Sequence, residues 1–194
     1  MRALFFDTET TGLPNFKLPY TDPSQPHIVQ LAFQLYDLTA DVVLATHSML
    51  IIPKLYSSIE PGAFNAHGIS VDRANTYGLD PAFALLMFQG FADKADLIVA
   101  HNFDFDRGMM KRTYHALNKP DILEGKKSFC TMKSTTQICG LTAANGRPKW
   151  PTLTQLHLHC HGVPFSGAHD ALIDVIACRD CFLHLYKKGA INVN

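Results

Sequence analysis

Two acidic residues near the N-terminus have the spacing of ligands on one face of a strand. Asp7 and Glu9 follow the short apolar segment 2–6 and are separated by a single residue. Because strand side chains alternate, both carboxylates emerge on the same face, with their Cα atoms roughly 6.6 Å apart. Carboxylate oxygens placed in this way can hold hard divalent cations. For this pair alone, a solvated strand end or the start of a turn explains the same residues.

A third acidic candidate follows another short apolar segment, 97–100. Asp104 and Asp106 both come after it, and loops at strand ends are where binding sites tend to lie. Asp106 shares the inward stripe of a helix predicted over 106–118, whereas Asp104 lies before that stripe. Asp106 is therefore the candidate ligand. Its alternative role is a helix cap, since aspartate is favoured at helix N-termini.

A histidine and an aspartate near the C-terminus form the last group. His169 and Asp174 are five residues apart, which is about 140° around a continuous helix. They can share one side only if His169 lies in the loop before the helix, and Gly167 with Asp170 as a helix N-cap favours that arrangement. A histidine in that place, with an ordinary pKa near ~6.5, can accept a proton from water at neutral pH. The alternative is a surface histidine beside a helix cap.

Short apolar runs and helical periodicities predict the elements that carry these groups. Strands are predicted over 2–6, 29–35, 42–52, 96–100 and 128–132. Helices are predicted over 61–67, 81–94, 106–118, 152–161 and 170–188, with another ending near 139–140. Antiparallel strands first, and then short buried strands alternating with helices, predict a mixed α/β sheet with helices packed on it. The length of 194 residues favours a single domain over 1–194.

The three groups together resemble the motifs of the DnaQ-like (DEDDh) superfamily of 3′→5′ exonucleases, which includes the epsilon subunit of DNA polymerase III and RNase T. The matching segments are Asp7-Thr8-Glu9-Thr10-Thr11-Gly12, His101-Asn102-x-x-Phe105-Asp106 and His169-x-x-x-x-Asp174. Their order and spacing fit over nearly the whole chain, and the position of the histidine is that of the DEDDh branch. The resemblance implies an RNase H-like fold, with three antiparallel strands, then short parallel strands, and helices on both faces of the sheet.

The resemblance also implies a cofactor and a reaction. Asp7, Glu9, Asp106 and Asp174 would hold two Mg²⁺ or Mn²⁺ ions, and His169 would take a proton from the attacking water. Hydrolysis of the last phosphodiester would release a nucleoside 5′-monophosphate.

Substrate contacts are expected beside these residues, from Thr10, Gly12, Leu13, His67, Asn102 and Phe103. Phe103 is the first candidate for gripping the terminal base, and Leu13 is a second on family analogy. His67 lies in a short segment, 66–69, that resembles one near the terminal nucleotide in epsilon-like members, although an ordinary helix-end histidine explains it equally. Trp150, the only tryptophan, could stack on a base or pack at the start of a helix.

Charge and composition limit the other classes of function. Seventeen basic and seventeen acidic residues leave a formal net charge of zero, which disfavours a protein that coats long nucleic acid but allows a pocket for a short end. Basic groups at 111–112, 126–127 and 147–149 could contact phosphates, although solvated surface explains each of them. Histidines and cysteines near 157–161 and 178–181 could suggest zinc, but their helical spacing favours packing in a core. Five scattered cysteines and no export signal favour a reducing, cytoplasmic compartment.

Three functions remain open from the sequence. The first is a 3′→5′ exonuclease on single-stranded or frayed DNA, acting alone or as a DNA polymerase subunit. The second is an RNA-trimming exoribonuclease similar to RNase T or oligoribonuclease, and the third is a non-catalytic nucleic-acid-binding module; the complete motif set favours an enzyme. The chain ends soon after the last predicted helix, which favours a free-standing protein. No apolar run approaches the ~18–20 residues that a membrane span needs.

Overall fold

The computed structural model describes residues 1–193, and its centre is a five-stranded mixed sheet. The strands are β1 (Arg2–Thr10), β2 (Ile28–Asp37), β3 (Val42–Leu50), β4 (Leu97–Ala100) and β5 (Ser128–Cys130). Their order across the sheet is β3-β2-β1-β4-β5. The first three strands are antiparallel, whereas β4 is parallel to β1 and β5 is parallel to β4. The predicted mixed sheet is confirmed.

The central strand, β1, is longer than its parallel partner. β2 pairs with β1 from Arg2 to Thr10, whereas β4 pairs only with the segment 3–5. Beyond Phe5, the β4 side of β1 therefore has no neighbouring strand in the described part of the chain. The carboxyl ends of β1 and β4 meet here, and ligands bind at the carboxyl ends of strands in open α/β sheets.

Helices connect the strands and cover both faces of the sheet. Within residues 1–193 they are α1 (Pro61–His67), α2 (Val71–Tyr77), α3 (Pro81–Ala92), α4 (Phe103–Ala116), α5 (Thr131–Ser134), α6 (Thr136–Cys139), α7 (Leu153–His161) and α8 (Ala171–Lys187). Helices α3 and α4 pack on one face and α7 and α8 on the other, as predicted. None of these helices combines the length and apolar character that crossing a bilayer requires.

Alternating side chains of β1 divide between two hydrophobic cores. Phe6 belongs to the core under α3 and α4, whereas Phe5 meets Phe182 of α8 edge-on, with ring centroids 5.3 Å apart. Asp7 and Glu9 continue the Phe5 side of the strand, so they face α8. The second core also contains the buried cysteines, Cys160, Cys178 and Cys181.

Some boundaries differ from the sequence predictions. β1 continues four residues beyond its predicted end at Phe6, because β2 pairs with it as far as Thr10. α4 begins at Phe103 instead of 106, since Asn102 adopts a left-handed conformation (φ 62°) that turns the chain from β4 directly into the helix. The helix predicted to end near 139–140 is two short ones, α5 and α6, which meet at Thr135.

The helix α2 is absent from the sequence predictions. Of its seven residues only Ala74 is buried, so the segment has no apolar stripe for a periodicity to reveal.

Candidate active site

Asp7 and Glu9 lie at the carboxyl end of β1, in the middle of the sheet. They are paired across the ladder with Ala32 and Gln30 of β2, so regular strand pairing fixes their backbone. Both carboxylates line one cleft at this end of the sheet. They are on the same face of the strand, as strand alternation requires.

Asp106 reaches this cleft from α4, on the opposite face of the sheet. It is 2% exposed, and its Oδ1 accepts hydrogen bonds from the backbone N–H (3.0 Å) and the hydroxyl (2.8 Å) of Thr8. The carboxylate thus takes the place of a strand partner along the open edge of β1. The helix-cap alternative for Asp106 is wrong, because α4 already begins at Phe103. Asp104 is exposed and pairs with Lys133.

Asp174 comes from the first turn of α8. Asp170 caps this helix by accepting hydrogen bonds from two of its backbone N–H groups. Gln30 of β2 also accepts a hydrogen bond from the N–H of Ala171, at 3.2 Å. These contacts attach the start of α8 to the sheet and so place Asp174 beside the acids of β1.

His169 lies in the turn before α8, outside the helix. Both Gly167 (φ 81°) and His169 (φ 70°) are left-handed, and a Cβ on Gly167 would lie 2.6 Å from the side chain of Ile173, so the turn requires glycine. The N–H of His169 donates to Oδ2 of Asp174, at 2.9 Å. One ligand atom each from Glu9, His169 and Asp174 lie within 4.8 Å of one another.

Burial, and to a smaller extent mutual repulsion, raises the pKa values of the four carboxyl groups. Burial, and then the neighbouring carboxylates, raise the pKa of Glu9 to about 8. Burial raises the pKa of Asp106 to about 7, although the hydrogen bonds from Thr8 oppose this. Burial is also the main cause that raises the pKa of Asp7 well above its usual value, and it raises the pKa of Asp174. The described residues that line the cleft include no lysine or arginine. The imidazole of His169 opposes the rise in the pKa of Asp174, but no cation is among the causes that act on Asp7, Glu9 or Asp106.

The cleft has a volume of about 600 Å³, within the usual range for a small-molecule or nucleotide site. Its walls come from β1 and the following loop, from α1, and from the start of α4. On the α1 side, the small residues Gly62, Ala63 and Ala66 leave room for a ligand. Of the predicted substrate contacts, five line the cleft: Thr10, Gly12, Leu13, His67 and Asn102.

Hydrogen bonds fix the loop after β1 to α1. The Nδ1 atom of His67 accepts from the N–H of Ile69 (3.0 Å), so Nε2 carries the proton and donates to the carbonyl of Thr10 (3.1 Å). The hydroxyl of Thr10 in turn donates to the carbonyl of Gly12, at 2.8 Å. A Cβ on Gly12 would lie 2.4 Å from the carboxyl carbon of Glu60, so a larger residue here would displace this exposed carboxylate.

The segment 13–27, which has no assigned role in the sequence analysis, forms one rim of the cleft. The buried side chain of Gln25 makes hydrogen bonds with four backbone groups of this segment. Arg112 is also buried and donates to a carbonyl of the segment, so its interpretation as solvated surface or a phosphate contact is wrong. The segment holds Leu13 and Phe16 at the cleft, with 80% and 75% of each residue exposed.

The prediction that Phe103 grips a terminal base is wrong. Phe103 is 7% exposed and meets Phe6 edge-on in the first core, with centroids 6.0 Å apart. The aromatic residues that line the cleft are Phe16 and Phe105. The earlier start of α4 explains the difference, because it places Phe103 on the first turn of the helix, facing the core.

His101 connects the end of β4 to two distant segments. Its Nε2 donates to the carbonyl of Pro151 (3.1 Å), and its Nδ1 accepts from the hydroxyl of Thr131 (2.9 Å). Burial lowers the pKa of His101 to about 4. The ring is therefore neutral at physiological pH, and its role here is structural.

The chain is similar to known nucleases in sequence and in fold. The family model RNase_T, which describes an exonuclease, matches residues 4–182. Among curated proteins, the DNA polymerase III subunit epsilon of Buchnera aphidicola subsp. Acyrthosiphon pisum (strain APS) is 28% identical over an alignment of 144 residues. The alignment covers 71% of this chain and 53% of that protein. The chain thus spans about half the length of this relative.

Solved structures of exonuclease I share the fold. E. coli exonuclease I in complex with a dT13 oligonucleotide superposes with a TM-score of 0.76 and 19% identity, covering 97% of this chain and 42% of that one. A moderately thermophilic exonuclease I from Methylocaldum szegediense gives 0.75 and 19%, covering 97% and 41%. Since the RNase_T match extends over most of the sequence, the chain belongs to this exonuclease family, within the DnaQ-like superfamily.

Proposed function

We propose that the protein is a metal-dependent 3′→5′ exonuclease that hydrolyses the terminal phosphodiester of single-stranded or frayed DNA to nucleoside 5′-monophosphates. The observation that carries this proposal is the convergence of Asp7, Glu9, Asp106, Asp174 and His169, from three separate stretches of sequence, on one cleft. The single sheet that joins these stretches supports one exonuclease domain over the chain.

The donor set of the site fits hard divalent cations. Four carboxylates lie together with raised pKa values, and the described lining offers them no lysine or arginine. Such a site favours Mg²⁺ or Mn²⁺, which prefer oxygen ligands. We assign Asp7, Glu9, Asp106 and Asp174 to hold two of these ions. When bound, the ions lower the pKa of a water molecule and stabilise negative charge on the departing oxygen.

His169 is suited to the proton transfer. Its imidazole is exposed, so a proton that it accepts from the attacking water can pass on to solvent. The hydrogen bond from the backbone N–H of His169 to Asp174 holds the turn against α8. Thr8 has a supporting role, since its two hydrogen bonds favour the ionised form of Asp106.

The shape of the cleft favours an unpaired 3′ end. Its rim presents the exposed side chains of Leu13 and Phe16, and Phe105 also lines it, so apolar and aromatic groups can contact a base. A volume of about 600 Å³ suits a nucleotide. Only a base that has left its pair offers its apolar face and edge to these side chains, so a single-stranded or frayed end fits the cleft best.

DNA is the favoured substrate on the evidence of the relatives. One is a subunit of a DNA polymerase, and the E. coli exonuclease I structure holds a dT13 oligonucleotide. The same activity would serve a free-standing enzyme or a polymerase subunit.

The direct test is hydrolysis of 5′-labelled single strands of DNA and RNA with the same sequence. With Mg²⁺, we expect a ladder of progressively shorter labelled DNA, no ladder in EDTA, and none from the Asp7→Asn variant. A ladder on RNA alone would instead identify an RNA-trimming enzyme. Immediate release of the labelled 5′ nucleotide would contradict the direction, and no product from either strand would contradict the enzyme proposal.

A further inference from the structure

On the basis of this proposed function, we infer that the strand preceding the scissile bond leaves the site through a second cleft beside α7 and stacks on Trp150. The interaction surface consists of that cleft and the adjoining hairpin 141–150. The ligand that it fits is an unpaired stretch of nucleic acid.

The second cleft shares part of the proposed catalytic site with the first. Its volume is about 340 Å³, and both clefts are lined by Asp7, His101, His169 and Asp174. A phosphodiester positioned at these shared residues has one of the two nucleotides that it joins in each cleft. Since the larger cleft takes the terminal nucleotide, the nucleotides that precede it occupy the smaller one.

The smaller cleft leads to the hairpin through a fixed contact. Its remaining lining residues are Thr152, Leu153, Thr154, Phe165 and Ala168. The preceding residue, Pro151, accepts the 3.1 Å hydrogen bond from His101. Trp150 therefore directly precedes Pro151, whose carbonyl is hydrogen-bonded to His101, and His101 lines both clefts.

The side chain of Trp150 is accessible to a ligand. Trp150 is 57% exposed, so any packing at the start of α7 covers less than half of the residue. The Nζ atom of Lys133 lies 5.8 Å from the ring centroid and also pairs with Asp104. These contacts orient the indole while leaving more than half of the residue open to a base.

The hairpin carries two further cations in the residues just before Trp150. The N–H of Lys149 donates to the carbonyl of Leu141 (2.8 Å), and the N–H of Ala143 donates to the carbonyl of Arg147 (2.9 Å). The side chains of Arg147 and Lys149 are exposed, in a protein whose formal net charge is zero.

An aromatic ring with Lys133 against it, on a hairpin that also exposes Arg147 and Lys149 and joins an acidic site, fits a single strand. The ring stacks on an unpaired base, and the cations contact the backbone phosphates. A duplex would keep its bases stacked on each other and would leave the indole without a partner.

The fluorescence of Trp150 tests this inference directly, because it is the only tryptophan. The titration uses the His169→Ala variant with Mg²⁺, so that the oligomer is not degraded during the measurement. It compares thymidine 5′-monophosphate with a thymidylate oligomer of about ten nucleotides, a length within the range of single-strand sites. We expect the oligomer to quench the emission and the mononucleotide to leave it unchanged. Equal responses to both, or binding of a labelled oligomer without quenching, would overturn the inference.

A variant series measures the same contact through substrate affinity. Trp150→Ala should raise the KM for the oligomer roughly tenfold, since one base–aromatic stack is lost. The KM for a dinucleotide should rise less. Trp150→Phe should recover most of the lost affinity for the oligomer. Tyr77→Ala, which removes an exposed aromatic residue at the end of α2, is the matched control and should match the wild type.

The two proposals fail in different ways. If the wild type hydrolyses the oligomer and Trp150→Ala has the wild-type KM, only the stacking inference is overturned. If the wild type hydrolyses neither DNA nor RNA, the proposed function has failed.

Discussion

Replacing Thr8 by valine should weaken metal binding without removing any proposed ligand. Valine has nearly the shape of threonine but lacks the hydroxyl that donates to Oδ1 of Asp106 at 2.8 Å. The backbone N–H of residue 8 still donates to the same oxygen, at 3.0 Å. The substitution therefore removes one of two hydrogen bonds that favour the ionised form of Asp106 and leaves the strand intact.

The expected magnitude follows from the charge of the acceptor. A hydrogen bond to a charged group contributes about 1.5–3 kcal/mol, so where a proton competes with Mg²⁺ for Asp106 the loss of this bond should weaken Mg²⁺ binding roughly tenfold. The pKa of Asp106 is already raised to about 7, and losing the hydroxyl raises it further. Mg²⁺ must then displace a proton from Asp106 over a wider pH range. The loss of Mg²⁺ affinity should therefore be larger near about pH 6.5 than near about pH 8.5.

Calorimetric titration with Mg²⁺ at both pH values measures this effect, with thermal unfolding to show that the variant is folded. The matched control is Thr113→Val, a buried threonine of α4 whose hydroxyl donates to the carbonyl of Met109, at 2.9 Å. The control should bind Mg²⁺ like the wild type. Wild-type affinity of Thr8→Val at both pH values, or an equal loss in both variants, would refute the positioning role of Thr8.

Three further predictions concern the base, the acidic cluster and the rim of the cleft. His169→Ala should fold and bind Mg²⁺, but its kcat should fall roughly 10²–10⁴-fold. The control is His115→Ala, at an exposed histidine, which should keep the wild-type rate in the same assay. A near-normal rate in His169→Ala contradicts the role of His169 as base. Because the pKa of Glu9 is raised from 4.5 to about 8, the folded metal-free protein binds more protons than the unfolded chain, so its stability should fall as the pH rises through this range. Thermal unfolding in EDTA should show a Tm several degrees lower near about pH 8 than near about pH 5.5, with a smaller difference in Glu9→Gln; a Tm that rises over this range speaks against the crowding of carboxylates. Gln25→Ala should lower the free energy of unfolding by about 1–3 kcal/mol and raise the KM for single strands, as measured by urea unfolding and initial rates; an unchanged KM would show that the 13–27 segment does not shape the substrate site.

Much of the site follows from local sequence patterns. Strand alternation alone places Asp7 and Glu9 on one face. Helical geometry lets His169 and Asp174 share one side only if His169 lies outside the helix, and the structure has His169 in a turn with a positive φ. These inferences succeed because each depends on residues a few positions apart, whose geometry is set by one element.

The contacts that hold the site together could not be inferred in this way. Thr8 bonds to a residue 98 positions away, and Gln30 bonds to the first residue of α8, 141 positions away. Nothing in the local pattern of a polar strand residue shows which distant element will lie beside it. The prediction for Phe103 fails for a related reason, since a shift of three residues in the start of α4 changes which side of the helix faces the core.

Anomalous diffraction from crystals soaked in Mn²⁺ tests most directly whether the four acids form a metal site. Two peaks between the carboxylates of Asp7, Glu9, Asp106 and Asp174, both absent from the Asp7→Asn protein, are the predicted result. Peaks only elsewhere on the surface, or none at saturating Mn²⁺, would contradict the proposed active site.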